Sequence, residues 1–258
     1  MNKKPIFIIG CPRSGTTLLR VILDSHYNIS CGPETHLIEN IKKYYENIEK
    51  NWQRLKLFGI SKEKYLTELG KNLSTLQENY MKKNNKKRWA EKTPTNIFHI
   101  DFINELFPDC QIINVIRDGR DVICSYKKRW GSLTIYNAVK TWNKSIDLTF
   151  QFRKKFTKEK YYEVRYEEIV SNPEIQTKKL MDFLGEKWTE DLLNHHKKHH
   201  DFLKKPDNQK EKNPQRHSPS KPIFKSSIGR WKKELNIIEK TYIKIFLKDN
   251  LEKLGYID

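Results

Sequence analysis

The stretch "IIGCPRSGTTLLR", residues 8–20, constrains the fold more than any other part of the chain. An apolar run over residues 5–9 ends at Gly10, and Leu18, Leu19, Ile22 and Leu23 follow at helical spacing, so the pattern predicts strand, tight loop, helix. A glycine-bounded turn in that position aims successive backbone N–H groups at one point, where the dipole of the following helix adds partial positive charge. Such a turn binds a phosphate-like group. Gly10, four residues, Gly15 and Thr16-Thr17 reproduce the spacing of a nucleotide-triphosphate loop, G-x-x-x-x-G-K-[ST], except that Thr16 stands where the lysine belongs. The hydroxyls of Ser14, Thr16 and Thr17 add donors, and Arg13 supplies the only full charge inside the loop.

Triphosphate enzymes also need an Asp after an apolar strand to help hold Mg²⁺. Here "IINVI" is followed by Arg117, a fixed cation that competes with a metal ion for the same anion. The expectation is an anion site that uses no metal. In "RDGRDVICSYKKR", residues 117–129, Arg117, Ser125 and Arg129 lie at offsets of eight and twelve. With 118–128 helical, Ser125 and Arg129 share a face and Arg117 sits at the strand end beside the helix start, an arrangement suited to a second phosphate.

Around these motifs the chain reads as α/β. Strands are expected at 5–9 and 110–116, in "RWAEKTPTN" (88–96) running into a loop, and in "YYEVRYEEIV" (161–170) turning into a short helical segment; four strands each followed by helix argue for a parallel sheet with right-handed crossovers. A shorter apolar piece at 28–31 leads into "GPETH". Residues 37–83 read as helical but polar, with breaks at Gly59, Ser61 and Gly70, and Thr95 or Asn96 is placed to cap a helix running through Leu106. Further helices are expected at 118–128, 133–156, 173–184 and 232–254. A length of 258 residues suits one domain with a sizeable core.

Lys and Arg outnumber Asp and Glu by 50 to 32, a balance of +18 that points to anionic partners. Residues 195–233 hold 12 Lys or Arg against 3 Asp or Glu, half of that excess, and read either as a solvated basic loop or as one that orders over an anionic ligand. "HHKKHH" at 195–200 reads as an exposed basic helix end and not as a metal site, because no carboxylate or cysteine sits at ligand spacing. Cys11, Cys31, Cys110 and Cys124 form no C-x-x-C pair and read as reduced thiols of a cytoplasmic protein. No stretch approaches the roughly 20 apolar residues needed to cross a bilayer, so no membrane association is expected.

Taken together, "CPRSGTTLLR", "RDGRDVICSYKKR", "VRYEEI" and "SIGRW" resemble the sulfotransferases that use 3′-phosphoadenosine 5′-phosphosulfate (PAPS) and release 3′,5′-adenosine bisphosphate (PAP). "CGPETHLI" is similar to the tyrosylprotein type, and the same broad class includes bacterial sulfotransferases. The resemblance implies a P-loop-containing three-layer fold, a central mostly parallel sheet flanked by helices. It also implies an in-line, metal-independent transfer to a hydroxyl on a small molecule, a saccharide or a protein tyrosine. A donor with one 5′ phosphosulfate and one 3′ phosphate needs two anion sites and no lysine reaching for a γ phosphate. By position, Arg13, Ser14, Gly15, Thr16 and Thr17 would hold the 5′ phosphosulfate and Arg117, Ser125 and Arg129 the 3′ phosphate, with Tyr166 and Arg230 adding donor contacts. Lys92 would stabilise charge on the leaving oxygen, and Glu34 would accept the acceptor's proton. A free Glu near 4.3 matches a hydroxyl near 10 poorly, a mismatch that a loose transition state with late proton loss relieves. Residues 39–85 would shape the acceptor side and 201–228 would form a basic loop over the donor.

The family's C-terminal active-site serine falls among Ser218, Ser220, Ser226 and Ser227, with Ser218 preferred. Pro33 and His36 replace an acidic residue and an arginine of the tyrosylprotein pattern, and no membrane anchor is expected ahead of the domain; these departures count against protein tyrosine as acceptor. The histidine that follows the lysine in small-molecule sulfotransferases is absent, since Thr93-Pro94 follow Lys92. Two other classes compete: a P-loop phosphotransferase with a degenerate loop, and a basic nucleic-acid binder, for which no helix-turn-helix, zinc or RNA-binding signature is present. No nucleic-acid partner is expected, and homodimerisation is left open.

Overall fold

The computed structural model describes residues 4–200 and 221–257. Among these, every apolar run read as a strand forms one, and the short piece at 28–31 adds a fifth. In chain order the elements begin with β1 (Ile6–Gly10), α1 (Thr16–Asp24), β2 (Ile29–Cys31), α2 (Leu37–Glu49), α3 (Trp52–Leu55) and α4 (Lys62–Lys83). Next come β3 (Arg88–Lys92), α5 (Ile100–Leu106), β4 (Gln111–Ile116), α6 (Gly119–Trp130) and α7 (Ile135–Lys155). The chain continues with β5 (Tyr161–Arg165), α8 (Tyr166–Ser171), α9 (Pro173–Leu184), α10 (Trp231–Glu234) and α11 (Ile237–Lys253).

The sheet runs β2-β3-β1-β4-β5 and every pairing is parallel. Parallel strands buried on both faces carry apolar residues at consecutive positions. In β1, Phe7 and Ile9 face a core shared with α2, α4 and α5, while Ile6 and Ile8 face one shared with α1 and α9. A third cluster joins α6, α7 and α11 through Val122, Trp142, Ile146 and Leu247.

Several local expectations are corrected. Gly70 does not break α4. A Cβ there would stand 2.7 Å from the Leu106 carbonyl oxygen, so the glycine lets α4 pack against the end of α5. Thr95 and Asn96 cap nothing: the chain enters a 3₁₀ turn at Pro94–His99 with Thr93 ahead of it, and the Asn96 amide donates to Glu91 Oε2 at 2.6 Å. The last helix is interrupted at Leu235-Asn236, where Asn236 and Glu239 form a reciprocal capping box that starts α11 afresh. His195 and His200 of "HHKKHH" are buried and not exposed. The Asp24 carboxylate draws the His200 ring inward, with Nδ1 to Oδ2 at 2.6 Å. Burial, with the nearby His196, pushes the His195 pKa down to about 4. All four cysteines are free and buried, and burial pushes their thiols up. Of the expected basic loop, residues 201–220 lie outside the described residues, and Ser218 and Ser220 with them.

The close approach at Gly70 makes a test. Alanine at an exposed helix position gains about 1 kcal/mol over glycine, but overpacking against a fixed carbonyl costs about 1–3 kcal/mol. Gly70→Ala is therefore expected to lower the denaturation midpoint. A raised midpoint would mean that α4 and α5 are not in contact there.

Candidate functional site at the carboxyl ends of the strands

In an open parallel sheet, ligands bind beyond the carboxyl ends of the strands. Each strand here delivers a predicted residue to that edge. The loop at 10–15 follows β1, Glu34 lies three residues after β2, Lys92 is the last residue of β3, Arg117 follows β4, and Tyr166 follows β5.

The first loop is built by close backbone approach. Gly10 has φ +149° and a Cβ on it would meet the Val115 carbonyl oxygen at 2.5 Å. Gly15, at φ +102°, leaves no room for one either, since it would meet the Tyr166 ring at 2.4 Å. Arg13 itself takes a left-handed conformation, φ +74°. Gly15 caps α1 without a side-chain bond, so the first-turn N–H groups of α1 point into the loop without an intrahelical acceptor. The Ser14 hydroxyl is buried and has no hydrogen-bond partner among the described residues. An orphaned donor beside open helix-end amides fits an anion.

The second cluster is contiguous with the first. Arg13 Nε donates to Ser125 Oγ at 3.0 Å, which ties the loop to α6. Arg117 Nη1 donates to the Arg13 carbonyl at 3.3 Å, and its guanidinium lies 4.1 Å from the centre of the Tyr166 ring. Arg117 Nε is buried with no partner among the described residues. Arg129 and Arg13 both approach the Trp130 ring, at 5.1 and 5.9 Å. Burial, then Arg129, Arg117 and Arg230, lower the Arg13 pKa, which places four guanidinium groups in one neighbourhood. Arg230 is held by Glu234, Nη2 to Oε2 at 2.8 Å.

Glu34 and Lys92 form an ion pair. Lys92 is fully buried, and its Nζ donates to Glu34 Oε1 and, at 3.3 Å, to Thr17 Oγ1 of the loop. Burial opposes the charge on Glu34, but Lys92, Arg20 and His36 together hold its pKa below the ordinary carboxylate range. Burial and then Arg20 push Lys92 down, with Glu34 pulling the other way. Sequence reasoning missed Arg20, a buried arginine on α1 that donates to the Gly32 carbonyl at 3.5 Å. Its one signal was a charge set within the apolar run "LLRVIL". It also missed Glu91, which accepts from Thr93 and Asn96 behind Lys92 and from Thr35 beside Glu34. Ser226 and Ser227 are described, and Ser227 contributes its carbonyl, which accepts from Arg117 Nη2 at 2.6 Å.

A parallel α/β sheet whose first strand runs through a glycine-bounded loop into α1 has the P-loop-containing fold. The sequence profile of the Sulfotransferase family matches residues 5–190, and the chain belongs to that family. It is 29% identical over 199 residues to protein-tyrosine sulfotransferase A of Caenorhabditis elegans, covering 74% of this chain and 52% of the relative. The chain spans about half the length of this and similar curated relatives. The sulfotransferase domain of the Synechococcus PCC 7002 olefin synthase superposes with a TM-score of 0.71 at 22% identity, over 100% of this chain and 96% of that one. Mouse sulfotransferase SULT7A1 complexed with PAP superposes at 0.52 and 13% identity, over 96% and 84%. These likenesses place the fold with the sulfotransferases.

Glu91 supplies a pH test. Its pKa rises from an ordinary 4.5 to about 7, first through burial, with Glu34 adding and Thr93, Lys92 and Thr35 opposing. Across that interval the folded protein keeps a proton that the unfolded chain has released, so this group's contribution to stability falls as pH rises. Glu91→Gln removes the titration. Its stability relative to the parent is expected to improve between about pH 5 and about pH 8 in urea denaturation; a constant or worsening difference would contradict the buried carboxyl.

Proposed function

We propose that this chain transfers the sulfuryl group of PAPS to a hydroxyl acceptor and releases PAP. The observation that carries the reading is a lysine-free loop with an orphaned Ser14 hydroxyl, joined through Arg13 to a cluster of three further arginines. Ser14, Thr16, Thr17 and the first-turn amides of α1 would hold the 5′ phosphosulfate. Arg117, Ser125 and Arg129 would hold the 3′ phosphate. Arg13 would bridge the two, Tyr166 would support Arg117 and the loop, and Arg230 would add a further cation.

Lys92 would meet the charge that grows on the leaving 5′ oxygen, and its contact with Thr17 of the loop supports that role. A fixed cation aimed at developing charge in a dry site lowers the barrier. Glu34 would take the acceptor's proton. Its lowered pKa makes it a weak base, which suits sulfuryl transfer through a loose transition state in which the proton leaves late. The Lys92–Glu34 pair must open for both groups to reach their partners, and Arg20 remains as a counter-charge for Glu34 when it does.

The acceptor side includes the turn at 32–36, where His36 Nε2 lies 3.8 Å from Glu34. Protein tyrosine is the first acceptor to assay, on the strength of the relatives' printed activity; Pro33 and His36 leave a saccharide or small-molecule hydroxyl as the alternative. Four buried free thiols suit a reducing compartment, and cytoplasmic residence is part of this reading.

Calorimetry tests the donor assignment. PAP is expected to bind at micromolar concentration, about 8 kcal/mol, with EDTA having no effect, while ATP with Mg²⁺ binds far more weakly. Arg117→Ala should weaken PAP at least tenfold, on the order of one lost charged hydrogen bond. Glu34→Ala should bind PAP normally and transfer labelled sulfuryl groups slowly. Tight ATP binding that requires Mg²⁺ would favour a phosphotransferase instead.

A further inference from the structure

The segment that carries Arg230 is fastened to Arg117 and the first turn of α6 at three points. Arg117 Nη2 donates to the Ser227 carbonyl at 2.6 Å. The Arg120 guanidinium, itself ion-paired to Asp118, lies 4.2 Å from the centre of the Trp231 ring. Between them, Asp121 Oδ2 accepts from the Gly229 N–H at 2.8 Å and Asp121 Oδ1 from the Trp231 N–H at 3.1 Å.

The Asp121 contact differs in kind from the other two. Its two oxygens take the backbone N–H groups on either side of Arg230, one each, so a single carboxylate sets the direction of the peptide from which that side chain leaves. Asp121 is fully buried in the first turn of α6. A buried carboxylate without hydrogen-bond partners is costly, whereas one that accepts two backbone donors is held rigidly. Gly229 takes φ +68°, a left-handed turn that brings both N–H groups to one side. Burial raises the Asp121 pKa, while those two N–H groups and the Arg117 charge favour its ionised form.

From this geometry we infer that Asp121 is a positioning residue for donor binding: it touches no ligand and acts through Arg230, by locking the Gly229–Trp231 turn against α6 and so fixing where the Arg230 side chain leaves the backbone. The inference rests on the reading above that Arg230 contacts the donor. It assigns a task to the second acidic residue in "RDGRDV", which charge alone would place as an intruder among cations.

The test is a double-mutant cycle read by PAP calorimetry on the whole chain, with thermal melts of each variant. Asp121→Asn keeps one acceptor and Asp121→Ala keeps none. PAP affinity is expected to fall about fivefold for the first and more for the second, in keeping with one and two lost hydrogen bonds. In an Arg230→Ala background, itself at least about fivefold weaker for PAP, Asp121→Asn should change affinity by less than about twofold. An equal loss from Asp121→Asn in both backgrounds would make the residue merely structural and overturn the inference, as would unchanged affinity in the single variant. Unchanged PAP affinity in Arg230→Ala alone overturns the inference and leaves the donor assignment standing. Failure of the parent protein to bind PAP overturns that assignment first.

Discussion

The structure depends on one backbone contact: the chain at Gly10 passes so near the Val115 carbonyl that no side chain fits between β1 and β4. That approach fixes the loop over the carboxyl end of β4, where Arg117 begins. Arg117 then reaches back to the Arg13 carbonyl, and Tyr166, arriving from β5, fills the space that Gly15 leaves open. The anion cradle and the arginine cluster are thus consequences of one packing relation among three neighbouring strands. Parallel order makes this possible, because it brings five chain segments to the same edge in the same direction.

Charge is distributed by the same logic. The guanidinium groups around Arg13 repel one another, and a cluster of that kind is held together by the protein and relieved by an anion. Of the carboxylates close by, one serves the cluster itself and two are taken up by other partners. Glu34 pairs with Lys92, Glu234 with Arg230, and Asp121 with two backbone N–H groups. Two of these contacts are ion pairs whose cations the donor would engage. Elsewhere in the fold, buried Arg88 pairs with Glu186 beside Asn28 and Gln111.

How much of this was legible in the sequence follows from the range of each interaction. The strand, loop and helix at 5–25 were readable because hydrophobic period and glycine spacing are local, and so were Arg117 at a strand end and Ser125 and Arg129 on one helix face. The interruption at Asn236 carried a local signal, the Asn-to-Glu capping spacing, which charge-rich surroundings concealed. Other features had no local signature. Gly70 looks like a helix breaker until α5 is placed against it. His200 looks solvated until Asp24, 176 residues earlier, comes within reach. The contact of Arg13 with α6 also has no local signature. The Arg13 bond to Ser125, 112 residues away, shows that the loop and α6 share one continuous cluster.

On the proposed function, the loop and the arginine cluster are the two ends of a single nucleotide site. A crystal structure with PAP bound tests it most directly. The account predicts the 5′ phosphate on the Ser14 hydroxyl and the first-turn amides of α1, and the 3′ phosphate within reach of Arg117, Ser125 and Arg129. A nucleotide lying elsewhere, or one whose 3′ phosphate points away from α6 into solvent, would contradict it.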